Sequence, residues 1–221
     1  MTSLVESPVK DVLDRLYADA RATHAAAMEG ARAGGGPPPG SGPGGPGDSL
    51  AFFERVKDAY LAVSRGTGNL LYTLVVTSGA RSVVEFGTSF AISTICLAAG
   101  VKDNGGGLVI GSEFLPNKVE TARANLAAAG LADVVDVRAG DARVELARDL
   151  PDTIDLVFLD GAKEMYVDIL QGLESRLGDR ALVVADNAKR GVGYLDYIRD
   201  SGRYLSSGFE SEDVEVSLFL G

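Results

Sequence analysis

The chain has 221 residues, 46% of them hydrophobic, and a formal net charge of -10; that apolar share excludes disorder throughout, and the length suits one α/β domain with appendages. Phosphate binding needs a basic face, so this acidity argues against nucleic acid as the partner. A single cysteine, Cys96, with neither a signal-peptide core nor a membrane-length apolar run, points to a cytoplasmic protein without internal disulfides or membrane attachment.

Pro8 to Ala33 reads as helix, with Val12, Leu13, Leu16 and Tyr17 at helical spacing ahead of an Ala-rich tail. Gly34 to Gly47 is almost wholly Gly and Pro, which cannot build a core and reads as a linker or exposed loop. Ser49 is the expected N-cap of a helix running to about Val63, and a further helix covers Asn69 to Thr77. From Arg81 onward strand and helix alternate. Strands at Ser82–Phe86, Leu108–Gly111, Val134–Arg138, Asp155–Leu159 and Ala181–Ala185 are separated by helices at Ala91–Ala99, Pro116–Ala129, Val144–Asp149 and Met165–Leu177. Pro116 suits a helix start, where its missing N–H costs nothing, and Gly130 closes that helix. After a helix at about Tyr194–Ser201, strands at Tyr204–Phe209 and Val214–Leu220 form a hairpin across the acidic turn Glu210 to Asp213. The expected fold is α/β: a doubly wound, mostly parallel seven-stranded sheet with a C-terminal antiparallel hairpin. The expected division is an N-terminal helix over 1–33, a Gly/Pro-rich linker or loop over 34–48 and the α/β domain over 49–221.

The stretch from Ile154 to Tyr166 holds the densest chemistry. An apolar strand buried on both faces ends in Asp160, followed by the small pair Gly161-Ala162 and by Lys163 about one turn on. In open α/β sheets ligands sit beyond the carboxyl ends of the strands. The strand Ala181–Ala185 likewise ends in Asp186-Asn187, so neighbouring strands would deliver two carboxylates and an amide oxygen, a hard-cation site in outline. Taken singly, Asp160 reads as a helix cap, Asp186-Asn187 as a turn and Lys163 as a surface lysine. Together they must also explain D-x-x-K-x-x-Y and D-N at successive strand ends.

The turn from Glu85 through Gly87 to Ser93 is not a dinucleotide fingerprint, because Glu85 and Phe90 stand where glycines would be. An acid there would repel a pyrophosphate and can bind a cationic ligand. Glu113, after the second strand, can accept hydrogen bonds from both hydroxyls of a ribose. Gly140-Asp141-Ala142, after the third, can border an adenine. Acids after three successive strands describe a nucleoside site with a positive group and no phosphates.

The order E-x-G…E…G-D-A…D-x-x-K-x-x-Y…D-N resembles the cation-dependent, class I S-adenosylmethionine-dependent O-methyltransferases, the family of catechol and caffeoyl-coenzyme A O-methyltransferases, over Leu61 to Gly221. The resemblance implies a Rossmann-like fold with S-adenosyl-L-methionine as cofactor. Gly87 and Ser93 would meet its methionine end, Glu113 its ribose, and Asp141 with Ala142 its adenine; Glu85 and Asp160 complete that set. It further implies a divalent cation, usually Mg²⁺, on Asp160, Asp186 and Asn187, with Lys163 as catalytic base beside Asp160. Physics supports these roles. Methyl transfer is an in-line displacement whose rate depends on alignment. A metal on two vicinal hydroxyls lowers their pKa, and a lysine beside a cation gives up its proton more readily. The lone histidine, His24, lies far away in sequence.

The sequence departs from the family at Ala91, where glycine is usual, and at Gly161-Ala162, where bulkier residues are common; the second change removes a wall from the pocket. Trp is absent from the chain. The expected activity is methyl transfer to a catechol-like or other vicinal-dihydroxy small molecule. A metal-independent methyltransferase and a non-catalytic nucleoside-binding protein of the same fold stay open, and the resemblance implies a homodimer through the N-terminal helices.

Overall fold

The computed structural model describes residues 2–34 and 58–221, with the side chains of 24–34 left aside. The Gly/Pro-rich segment, apart from Gly34, and the Ser49 cap lie outside the described residues. Helix α1 (Val9–Gly34) leads to α2 (Arg65–Ser78), after which strand and helix alternate. They run β1 (Ser82–Phe86), α3 (Ile92–Asp103), β2 (Leu108–Glu113), α4 (Pro116–Ala128), β3 (Val135–Ala139), α5 (Ala142–Glu145) and β4 (Ile154–Leu159). Then come α6 (Tyr166–Leu173), β5 (Leu177–Asp186), α7 (Tyr194–Asp200), β6 (Tyr204–Phe209) and β7 (Val214–Phe219).

All seven strands form one sheet in the order β3-β2-β1-β4-β5-β7-β6. The first five are parallel, and β7 joins antiparallel to both β5 and β6. The expected fold class is therefore the observed one. Period-two alternation divides the core in two. Val83, Leu156, Phe158 and Val184 face α1 to α4, which contribute Leu16, Leu71, Ile95 and Leu126. Val84, Phe86, Val157, Leu159, Val183 and Ala185 face α6 and α7, with Ile169, Leu170, Tyr194 and Ile198. Both sides of the strands are thus buried, which is why they read as continuous apolar runs.

Three expectations change. The helix expected to reach Val63 does not: residues 58–64 carry no regular structure, and α2 begins after Ser64, whose hydroxyl accepts from Thr67 N–H at 2.9 Å. The side chain of Glu212, at the tip of the β6–β7 hairpin, binds that same Ser64 hydroxyl, and Tyr60 stacks on Phe90 with ring centroids 4.3 Å apart. Tertiary contacts hold this segment extended. The helix expected over Val144–Asp149 ends at Glu145 because the buried Arg138 guanidinium collects the carbonyls of Glu145, Arg148 and Asp149 at 2.6–3.0 Å. The helix expected over Met165–Leu177 is α only at Tyr166–Leu173, with single 3-10 turns on either side, and residues from Leu177 already belong to β5.

Register decides what the sheet presents at its carboxyl edge. Ser112 and Glu113 of β2 pair with Phe86 of β1 and Ala139 of β3 respectively, Phe86 pairs with Leu159 of β4, and Leu159 with Ala185 of β5. The next residues therefore stand flush: Ala139, Glu113, Gly87, Asp160 and Asp186 form one row across five adjacent strands, with Gly140 just beyond it. Every candidate loop opens on this row.

Candidate active site

The two halves of the row touch through Gly87. Its φ is +102°, and a Cβ there would lie 2.7 Å from the Asp160 carbonyl carbon and oxygen and 2.8 Å from the Gly161 nitrogen. Those neighbours are backbone and cannot step aside, so only hydrogen fits. The Asp160 N–H also donates to the Phe86 carbonyl at 2.8 Å. The turn after β1 and the turn after β4 are in this way one rigid unit.

A cleft of about 250 Å³ opens above that unit, lined by Gly87, Ser89, Phe90, Ser93 and Asp160, with Tyr60 to Val63 along its rim. Ser89 and Ala91 both hold left-handed backbone, at φ +49° and +72°. For a residue with a Cβ this costs roughly 1–2 kcal/mol. At Ala91 the bend is held by its N–H on the Thr88 carbonyl at 2.8 Å, and it aims the start of α3 into the cleft without the usual glycine.

Glu85 is not on the cleft surface. Its carboxylate is fully buried and accepts from the hydroxyls of Thr88 at 3.0 Å, Ser93 at 2.6 Å and Thr94 at 2.5 Å. Three hydroxyls claim it, and through them it shapes the turn that lines the cleft. Burial pushes its pKa up to about 7 against those bonds. Gly111 makes the room, since a Cβ there would collide with the Thr88 hydroxyl and press on Glu85. A raised carboxylate pKa means the native state holds the proton more tightly than the unfolded chain. Stability from this group is full below the ordinary glutamate range and is lost as pH rises through about 7, by on the order of 3 kcal/mol. Glu85→Gln is therefore expected to flatten the fall of the melting temperature between pH 5 and pH 8, seen by scanning calorimetry. Parallel melting curves for both proteins would reject the assignment.

Glu113, expected at a ribose, accepts from the Ser89 N–H and the Leu115 N–H, both at 2.8 Å, and so ties the loop after β2 to the cleft-lining turn. Behind it lies Lys118, a lysine almost fully buried, 3.3 Å from the Ser89 hydroxyl and 5.2 Å from the Phe90 ring centroid. Burial lowers its pKa, and the charge of Glu113 opposes that shift. Sequence pattern alone does not reveal it, because Lys118 sits on a helix among polar neighbours. Asp141 caps α5 by accepting from the Arg143 N–H at 2.9 Å and also holds the Arg143 guanidinium; Ala142 is buried against the second core.

On the other half of the row, Lys163 donates to Asp160 Oδ1 at 2.8 Å, to the Tyr166 hydroxyl at 2.6 Å and to the Asp186 carbonyl at 3.3 Å. Asp160, Lys163 and Asp186 are thus brought together as expected, and Tyr166 joins them. Asn187 follows at φ +49°. Burial raises the pKa of Asp160, opposed by Lys163, and burial together with the charge of Asp160 raises that of Asp186. A buried carboxylate, Asp186, and a half-buried one, Asp160, share a single neighbouring ammonium, a charge arrangement that a cation would relieve. Among the described residues no three His, Cys, Asp or Glu side chains form a metal-binding group. The carboxylates number two, and the third donor would be the Asn187 amide; an all-oxygen set of this kind fits a hard divalent cation.

Gly161 shows why the small pair is tolerated. A Cβ on Gly161 would fall among the ring atoms of Phe86, which is itself edge-on to Tyr166 at 6.3 Å. The space beside Gly161 is thus taken by Phe86 from β1.

Known proteins share this fold. A family described as "Methyltransferase domain" matches residues 84–188, which span β1 to the turn after Asn187. The catechol O-methyltransferase of Mycobacterium tuberculosis is 39% identical over 147 residues, 66% of this chain and 66% of that protein. These matches support the class I S-adenosylmethionine-dependent O-methyltransferase family for this chain. The matched stretch spans slightly under two thirds of that curated relative's length. Among solved structures, the cofactor-bound Rv0187 from MTB superposes with a TM-score of 0.64 at 28% identity, over 77% of this chain and 88% of the other. The O-methyltransferase from Bacillus cereus, in complex with SAH, does so with 0.65 at 22% identity, over 78% and 88%, which speaks for the fold. No helix among the described residues is long and apolar enough to cross a membrane.

Proposed function

We propose that the protein transfers the methyl group of S-adenosylmethionine to one hydroxyl of a catechol-like or other vicinal-dihydroxy small molecule, with a divalent cation at Asp160, Asp186 and Asn187 and with Lys163 as base. One observation carries this reading: the Lys163–Asp160 pair and the Asp186 strand end abut, through Gly87, the turn that lines the cleft. The relative from M. tuberculosis bears the name of this activity, and two structural neighbours were solved with cofactor or SAH.

In the reaction an O–CH₃ bond forms as the C–S⁺ bond breaks in line, the sulfur keeps the electron pair and the hydroxyl proton must leave. When bound, the divalent cation supplies Lewis-acid charge that favours the ionised hydroxyl. The chain's own residues do the rest. Lys163 Nζ would take the proton, and Asp160 orients it. Gly87, Ser89 and Ser93 shape the floor for the methionine end, Glu113 stands where a ribose needs acceptors, and Asp141 with Ala142 borders the adenine.

Calorimetric titration with S-adenosylmethionine in Mg²⁺ buffer, with NAD as control, tests the cofactor. Saturable binding of the first and none of the second is expected. Failure of both to bind would overturn the reading of Gly87, Glu113 and Asp141.

A further inference from the structure

We propose that Tyr166 is a positioning residue for methyl transfer: its hydroxyl seats the Lys163 amine and ties the base to the carboxyl end of β5. This rests on the reading of Lys163 given above. Tyr166 is fully buried, and its hydroxyl makes two contacts of opposite sense, accepting from Lys163 Nζ at 2.6 Å and donating to the Asp186 carbonyl at 2.9 Å. The phenol therefore bridges the base to the strand end that carries the candidate cation ligands.

The ring itself has little freedom. Phe86 meets it edge-on at 6.3 Å and 72°, and Tyr194 at 5.5 Å and 83°. A Cβ on Gly191 would lie 2.8 Å from Tyr194 Cβ and 3.3 Å from the Tyr166 ring, so that glycine lets the two tyrosines pack. Edge-to-face packing fixes ring orientation as well as contributing burial. A lysine side chain is flexible and rich in rotamers, and holding its terminal nitrogen in one place requires partners on more than one side. Asp160 supplies one partner at 2.8 Å, Tyr166 a second at 2.6 Å and the Asp186 carbonyl a more distant third at 3.3 Å. Packing alone would be served equally by phenylalanine, which has no group to give the lysine.

The test compares Tyr166→Phe with wild type, using catechol as the probe acceptor, S-adenosylmethionine and Mg²⁺. Loss of a hydrogen bond to a charged group is expected to lower kcat roughly tenfold to a hundredfold, with the KM for S-adenosylmethionine unchanged. In a Lys163→Met background the same change should lower kcat no further. A parallel double-mutant cycle on melting temperature needs no activity: Tyr166→Phe should cost less when Lys163 is already Met, because no buried ammonium is left short of a partner. Unchanged kcat in Tyr166→Phe, or additive effects in either cycle, would overturn the proposal. If wild type methylates no catechol, the functional reading fails, and the melting cycle still decides whether Tyr166 seats Lys163.

Discussion

Replacing Lys163 by alanine is expected to lower kcat by about 10²- to 10⁴-fold, the range for loss of a positioned general base. The affinity for S-adenosylmethionine should stay close to wild type, because Lys163 does not line the cleft and its bonds are to Asp160, Tyr166 and the Asp186 carbonyl. Lys163→Arg separates charge from basicity. A guanidinium keeps the positive charge and stays protonated, so it should preserve the ion pair with Asp160 and leave kcat as low as in Lys163→Ala. Steady-state kinetics with catechol and cofactor titration by calorimetry check both arms. Near wild-type turnover in either variant would remove Lys163 as base and transfer the role to solvent or to the acceptor's own ionisation.

Removing divalent cation with a chelator should abolish turnover to a similar or greater extent. A bound cation contributes several kcal/mol of charge stabilisation, on the order of 10³-fold or more in rate. The structure adds a sign to this prediction. Burial raises the pKa of both Asp160 and Asp186, so protons compete with the cation for the same oxygens. Apparent cation affinity should therefore weaken as pH falls below neutrality and strengthen above it. The same linkage predicts that Mg²⁺ raises the melting temperature more at pH 8 than at pH 6, and that Asp186→Ala removes this dependence. Activity that persists in chelator, with no thermal response to Mg²⁺, would favour a metal-independent transferase in which the two carboxylates only brace Lys163.

Both predictions concern residues that were legible before any coordinates. Asp160 and Asp186 each end an apolar run of strand length, and D-x-x-K-x-x-Y places Lys163 and Tyr166 one turn and two turns on. Such runs are readable because parallel strands are buried on both faces, and Pro116 and Gly130 mark helix ends through backbone chemistry that needs no partner. The loop acids were legible as positions but not as roles. Glu85 and Glu113 have the same charge and comparable places at strand ends. Glu85 is turned inward to three hydroxyls, whereas Glu113 takes two backbone N–H groups beside the cleft.

What the sequence determined by itself is the order of elements, the sheet class and the set of residues delivered to its carboxyl edge, since each follows from local periodicity and turn chemistry. Tertiary structure alone decided the rest. The helix before β1, expected from Asn69, opens already after Ser64, whose hydroxyl also binds Glu212 from the far hairpin. Phe86 from β1 fills the space that Gly161 leaves on β4, and Gly87 lets the two turns touch through backbone. The Tyr166 hydroxyl donates to a strand end twenty residues away. These contacts join segments distant along the chain, and no local pattern encodes them: they exist only where register sets neighbouring strand ends side by side.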